Sequence, residues 1–247
     1  MAGCWNLALI RSRCPELAGV TTDSGVWRRL RRWAISWKAG RPHLISPDPE
    51  YERKCAAISE ALKRALLDPQ HVRLLFLDEM SFYRRPAPGR EWHEQGRGGC
   101  MQPTAPQAPG PNTRRRIIGA LDACDGRVNS LTRSSMQTRA ILKFIRQLRT
   151  AYGPDVRLVL VWDNWPPHHQ EDVRALAAEL NMEILYTPTY APWTNYIEKL
   201  WKKLRRDILW LHRYSDAWVQ LRMRVNQYLE ELDRPNPELL RYVGLER

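Results

Sequence analysis

The sequence predicts a layered α/β domain on a mixed sheet, and three observations carry that prediction. Two strongly apolar runs, 72–77 and 156–162, are short, rich in Val and Leu, and each is followed directly by an aspartate. Two further strand-like runs, 116–121 and 127–131, flank Asp125-Gly126, a dipeptide suited to a hairpin turn. From residue 70 onward the order is three strands, then helix, strand, helix, strand, helix, which implies parallel as well as antiparallel pairing.

Taken in order, the chain opens with a short apolar helix candidate at 5–10 and a turn at 19–22. Ser24 is the expected cap of a second helix, in which Trp27, Leu30 and Ala34 share a face and the arginines point elsewhere. Helix, turn and basic helix form the outline of a partial helix-turn-helix; an amphipathic surface helix with a solvated basic face has the same spacing. Residues 38–49 hold Gly40, Pro42, Pro47 and Pro49 and read as a linker. Asp48 is then expected to cap a helix with Pro49 at its first position and Cys55, Ile58, Leu62 and Leu66 on its apolar face.

After the strand ending at Asp78, residues 84–113 form a Pro- and Gly-rich loop with a short strand near Trp92. Ser134 or Ser135 opens a helix carrying Ile141, Leu142, Ile145 and Leu148, and Gly153-Pro154 ends it. A helix at 167–180, a strand at 182–186 and a proline-punctuated loop at 187–192 follow. A long helix from Asn195 carries Ile197, Leu200, Trp201, Leu204 and Ile208, and a last helix is capped by Ser215. The expected segments are the partial helix-turn-helix region at 1–37, the linker at 38–49, an α/β domain at 50–212 and a helical extension at 213–247.

The formal net charge of +12 is unevenly spread. Arg28, Arg29, Arg31, Arg32, Lys38 and Arg41 form one cluster, Arg114, Arg115 and Arg116 a second, and Lys199, Lys202, Lys203, Arg205 and Arg206 a third. Separate basic clusters favour a nucleic-acid partner, since neutralised phosphates release counterions. The five cysteines have neither C-x-x-C pairing nor zinc-finger spacing, which disfavours zinc and disulfides and fits a reducing cytoplasm. No run reaches the ~20 apolar residues of a membrane span, and a soluble, intracellular protein is expected.

Three carboxylates complete the reading. Asp78 and Asp163 follow the two apolar strands, at the strand ends where α/β sites collect. Glu198 stands in the first turn of the helix after the proline loop, 35 positions beyond Asp163. Such residues converge only where a divalent cation offsets their repulsion, and hard oxygen donors suit magnesium. Singly, each reads better as a turn cap or a helix-dipole partner; the three together, in this order, favour the metal site. His168 and His169, after Pro166-Pro167, are expected to be exposed at a helix start; Glu79 is turned from Asp78 by strand alternation; Trp193 and Trp201 are read as packing residues.

Leu77-Asp78-Glu79, Val161-Trp162-Asp163-Asn164 and the run from Tyr190 through Ala191, Pro192, Trp193, Thr194, Asn195, Tyr196 and Ile197 to Glu198, Lys199, Leu200 and Trp201 resemble the three motifs of Asp-Asp-Glu (DDE) transposases. The match is to the mariner-related superfamily and its bacterial insertion-sequence branch, over about residues 20–235. Family members usually carry Pro where Tyr196 stands, and two helix-turn-helix units where about one fits here. The resemblance implies a ribonuclease H-like fold and two Mg2+ or Mn2+ ions held by Asp78, Asp163 and Glu198. It further implies cleavage of double-stranded DNA at transposon ends with strand transfer into target DNA, and a homodimer or larger oligomer acting at the bacterial nucleoid. A nuclease of the same fold without strand transfer and a non-catalytic DNA-binding remnant stand as alternatives.

Overall fold

A computed structural model describes residues 6–36, 45–90 and 104–245. The chain divides into two compact units, Met1–Leu44 and Ile45–Arg247. In the first, α1 (Leu7–Arg13) is capped by Asn6 and α2 (Asp23–Arg32) by Thr22, whose hydroxyl accepts the Gly25 N–H at 3.1 Å. The expected cap, Ser24, lies inside α2; Thr22, two residues earlier, has the extended backbone that a cap requires. Leu17 and Val26 are the buried residues between the helices.

The second unit is built on a five-stranded sheet in the order β3-β2-β1-β4-β5. The strands are β1 (Val72–Tyr83), β2 (Arg114–Asp122), β3 (Val128–Arg133), β4 (Arg157–Trp162) and β5 (Met182–Tyr186). β1–β2 and β2–β3 are antiparallel; β1–β4 and β4–β5 are parallel, so the sheet is mixed. The β2–β3 hairpin turns at Gly126, whose φ of +79° is a left-handed value that costs an L side chain.

Helices cover both faces. On one, α3 (Tyr51–Leu67), α6 (Ile197–Leu204), α7 (Trp218–Glu231) and α8 (Pro237–Val243) pack on Leu74, Phe76, Met80, Phe82 and Ile117. On the other, α4 (Thr138–Tyr152) and α5 (Glu171–Glu179) pack on Leu75, Leu77, Ile118, Leu158 and Leu160. The strict alternation of Leu74, Phe76, Met80 and Phe82 against Leu75 and Leu77 assigns each side of β1 to one core.

Several expected boundaries shift. β1 does not end at Asp78 but continues to Tyr83, because β2 goes on pairing with it. Asp48 makes a turn that accepts the Glu50 N–H, and α3 begins only at Tyr51. α4 starts at Thr138 after Gln137, not at Ser134 or Ser135. Ser215 caps no helix; its hydroxyl bonds Pro106 and Ala108 and ties down the loop before β2, while α7 follows Ala217. The helix from Asn195 passes into a π-turn at Arg205–Leu209, and the helix expected at 167–180 is a 3-10 turn, Pro166–His169, followed by α5. The short α8, capped by Asn236, was not foreseen. Lys38, Arg41 and the strand expected near Trp92 lie outside the described residues.

Candidate active site

Parallel pairing between β1 and β4 stops at Phe76↔Val161, whereas pairing between β1 and β2 continues to Tyr83↔Arg114. The two strands therefore part just before Asp78 and Asp163, at the carboxyl end of their parallel pairing, where such sheets open a crevice. Across the ladder Asp78 faces Gly119. A Cβ at Gly119 would stand 2.6 Å from the Trp201 ring, so the glycine makes room for a buried indole against the sheet. That indole Nε1 donates to Asp78 Oδ2 at 2.9 Å. Trp201 is a packing residue, as expected, but it also orients the first aspartate, a role reading by periodicity missed. Burial, reinforced by the charges of Glu198, Glu79 and Asp163, pushes the Asp78 carboxyl up to about 8.

Asp163 follows β4 and is about half exposed. Its Oδ1 accepts the Trp165 N–H at 3.1 Å and lies 2.8 Å from His168 Nδ1. His168 was expected to be exposed; it is fully buried, stacked on Trp162 at 4.0 Å, and its Nε2 lies 3.1 Å from Glu79 Oε1. Strand alternation does send Glu79 away from Asp78, yet that places it where His168 can join it to Asp163. Burial disfavours the charged imidazole, but the two carboxylates outweigh it and raise its pKa to about 9. Burial likewise works against the Asp163 carboxylate, and the bond to His168 reverses the balance, holding it below its ordinary value. His169 is exposed, as expected, and stacks on Tyr186 at 4.0 Å.

Glu198 is carried in the first turn of α6. The entry to that helix is pinned by Asn195, buried, whose Nδ2 donates to the Leu77 carbonyl at 2.7 Å, immediately before Asp78. Asn195 thus fixes the third motif to the first. Asp78, Asp163 and Glu198 line one cavity of about 490 Å³, with Asn164, Trp165 and the loop Thr187–Pro192 as its other walls. As placed, no three His, Cys, Asp or Glu side chains among the described residues are close enough to grip a metal together. The donor set nevertheless fits a divalent ion: three carboxylates line one cavity, and one of them is driven toward its neutral form by burial and by the others' charge.

The basic clusters are placed differently from one another. Arg28, Arg29, Arg31 and Arg32 are exposed on α2, with the Arg31 guanidinium 5.1 Å from the Trp27 ring. Alternation along β2 sends Arg114 and Arg116 to one face and Arg115 to the other, so the second cluster is split. Lys199 donates to the Val243 carbonyl and Lys203 pairs with Asp207 at 2.5 Å, so both are engaged within the fold; Lys202 is exposed. The described cysteines, Cys14, Cys55 and Cys124, are free thiols, and no described helix is long and apolar enough to cross a membrane.

Residues 73–221 match the DDE superfamily endonuclease family. A curated relative, the insertion element IS630 uncharacterized 39 kDa protein of Shigella sonnei, is 27% identical over 231 residues, 92% of this chain. The chain spans 64% of that relative's length. Among solved structures, the Mos1 mariner paired-end complex with Mn superposes with a TM-score of 0.68 at 17% identity, covering 98% of this chain and 71% of that one. The Mos1 transposase paired-end complex with left transposon end gives 0.63 at 20%, covering 96% and 73%. These likenesses establish the fold as that of the mariner transposases, ribonuclease H-like. With its three motifs inside the matched segment, the chain belongs to the DDE superfamily endonuclease family.

Proposed function

We propose that this protein is a DNA transposase: it cuts double-stranded DNA at the ends of a mobile element and joins the freed ends to target DNA. The observation that carries the reading is the meeting of Asp78, Asp163 and Glu198 on one cavity at the parting of β1 and β4. In the cut, water attacks the phosphorus, the bond to the 3′-oxygen breaks, and a 3′-hydroxyl and a 5′-phosphate result. In the joining step that hydroxyl attacks a target phosphodiester and displaces another 3′-oxygen, so the number of phosphodiester bonds is conserved.

Asp78, Asp163 and Glu198 would hold two Mg2+ or Mn2+ ions, which supply charge stabilisation for the attacking and leaving oxygens. The chain's own residues do the positioning. Trp201 fixes one oxygen of Asp78, His168 aims Asp163, and Asn195 sets the start of α6 beneath Glu198. DNA is gripped through Arg28, Arg29, Arg31 and Arg32 of a partial helix-turn-helix in residues 1–37, Lys38 and Arg41 of the linker at 38–49, Arg114–Arg116, and Lys202. The catalytic domain is 50–212 and the helical extension 213–247. Two or more copies act together on paired ends, in the bacterial cytoplasm at the nucleoid.

The test is cleavage of a supercoiled plasmid carrying the element's flanking ends, with Mg2+ or Mn2+, by wild type and Asp163→Ala. End-specific nicks and joined products that vanish in the variant are expected. Cutting without joined products reduces the protein to a nuclease, and binding without cutting reduces it to a DNA-binding remnant.

A further inference from the structure

One wall of the carboxylate cavity is the loop between β5 and the turn Pro192–Thr194, and its backbone is fixed at nearly every residue. The Thr187 N–H donates to the Trp162 carbonyl at 2.8 Å, and Asn164 Nδ2 donates to the Thr187 carbonyl at 2.6 Å. Thr189 is held on both sides: its N–H donates to Asp48 Oδ2 at 2.8 Å, and its carbonyl accepts the Ser46 hydroxyl at 2.6 Å. Asp48 is itself held by Lys54 Nζ at 2.8 Å, with its side chain only 4% exposed. Pro188 and Pro192 restrict the backbone further.

At the centre of this clamped loop stands Tyr190, with φ +54°. That left-handed conformation is unfavourable for a residue with a Cβ and is the ordinary place for glycine or asparagine. Burial of the ring does not offset the strain, because Tyr190 is 78% exposed. The loop thus spends its constraints on holding a large aromatic ring in water, on the rim of the cavity lined by Asp78, Asp163 and Glu198. A strained backbone position kept where the turn itself asks for glycine points to the side chain's function. Trp193, the other exposed aromatic nearby, is tied back through its Nε1 to the Tyr51 hydroxyl at 3.1 Å and does not line the cavity.

We propose that Tyr190 is a nucleobase-stacking residue, receiving on its ring an unpaired base of the DNA strand beside the scissile phosphodiester. The inference rests on the DNA-cutting function proposed above and adds the residue that seats the substrate. A preset ring offers a base its π-face with little further loss of freedom, and stacking tolerates any base because every base has such a face. The base must be out of its pair to reach the ring, so the DNA is frayed or already nicked when it is seated.

The probe is a duplex with a short single-stranded 3′ overhang carrying 2-aminopurine at the first unpaired position, titrated with full-length protein in EDTA so that nothing is cut. Wild type and Tyr190→Phe are expected to quench the fluorescence and bind alike. Tyr190→Ala is expected to lose the quench and bind about 10-fold more weakly, within the ~5- to 150-fold range of a lost base stack. Tyr190→Gly separates stacking from architecture: relief of the positive φ should leave its melting temperature equal or higher while the quench is lost. Quenching and affinity unchanged in both Tyr190→Ala and Tyr190→Gly overturn the proposal, whatever the plasmid assay shows. A wild-type protein that neither binds the probe nor cuts plasmid overturns the proposed function, and this inference with it.

Discussion

Replacing Asp78 by Asn should stabilise the metal-free protein at neutral and alkaline pH while abolishing cleavage. The unfolded carboxyl titrates near 3.8 and the folded one near 8, because burial and the charges of Glu198, Glu79 and Asp163 oppose its ionisation. Between those values the folded state binds more protons than the unfolded state, so raising the pH drains stability through this window. At ~1.4 kcal/mol per decade the full span is on the order of 6 kcal/mol, which solvent access to the cavity reduces to about 3. Asparagine removes the titration but keeps a carbonyl oxygen to accept the Trp201 N–H. Urea unfolding in EDTA from pH 5 to pH 9 covers the part of that window above pH 5 and should show the variant's advantage over wild type growing by about 2 kcal/mol. Millimolar Mn2+ should then stabilise wild type and leave Asp78→Asn nearly unmoved, since a cation relieves the repulsion that the amide never had. Parallel pH profiles for the two proteins, or equal stabilisation of both by Mn2+, would refute the electrostatic account of this site.

Trp201→Phe keeps most of the ring in its slot against Gly119 but removes the Nε1 donor to Asp78. Cleavage should fall by about tenfold for a stability loss of only ~1 kcal/mol, and a variant as active as wild type in the plasmid assay would show that the indole does not orient the aspartate. Gly119→Ala forces a Cβ to within 2.6 Å of that ring, so calorimetry should record a loss of about 1–3 kcal/mol. His168→Asn breaks the bridge between Glu79 and Asp163; a loss on the order of 3 kcal/mol is expected at pH 6. Because the folded imidazole titrates near 9, its contribution is complete below 6.5 and fades as pH rises through about 9, so wild type and variant should converge in that window.

Much of the sheet was legible because its strands carry their own patterns. β5 falls on 182–186 as read, and β2 and β3 bracket the Asp125-Gly126 turn within two residues at each end. The far half of β1 was missed because Asp78-Glu79 interrupts the apolar run, although Met80 and Phe82 resume a period of two beyond it. Helix starts were the weakest reading. Ser24, Ser134, Ser135 and Ser215 all offered local capping chemistry, yet α4 and α7 begin with no side-chain cap, placed by the core they cover. In the site, the three carboxylates could be picked out by motif, but their partners could not. Trp201 is 123 positions from Asp78, and His168 is 89 from Glu79. Pro166-Pro167 suggested an exposed turn, and only the packing of Trp162 explains why the turn places an imidazole inside.

The partners show why one cavity can hold acidic groups of different character. Asp163 has a charged donor: His168 bears a proton at neutral pH, and Glu79 helps to keep it there from the opposite side. Asp163 is therefore ionised and fixed before any ligand arrives. Asp78, more deeply set, has neutral donors, the indole of Trp201 and the Glu79 backbone N–H, and a neighbouring carboxylate in Glu198 that opposes its charge. A second basic side chain beside Asp78 would have satisfied it permanently and closed the site to cations. An indole orients the carboxylate without neutralising it, so under the function proposed above its need for positive charge would fall to an ion, with Glu198 beside it. The geometry follows from the sheet: the strands part after Phe76 and Val161, and Gly119, bare of a side chain, lets the indole lie against β2 and reach across to β1. The fold thus tolerates a destabilised aspartate at the one point where a metal-dependent cut would use it.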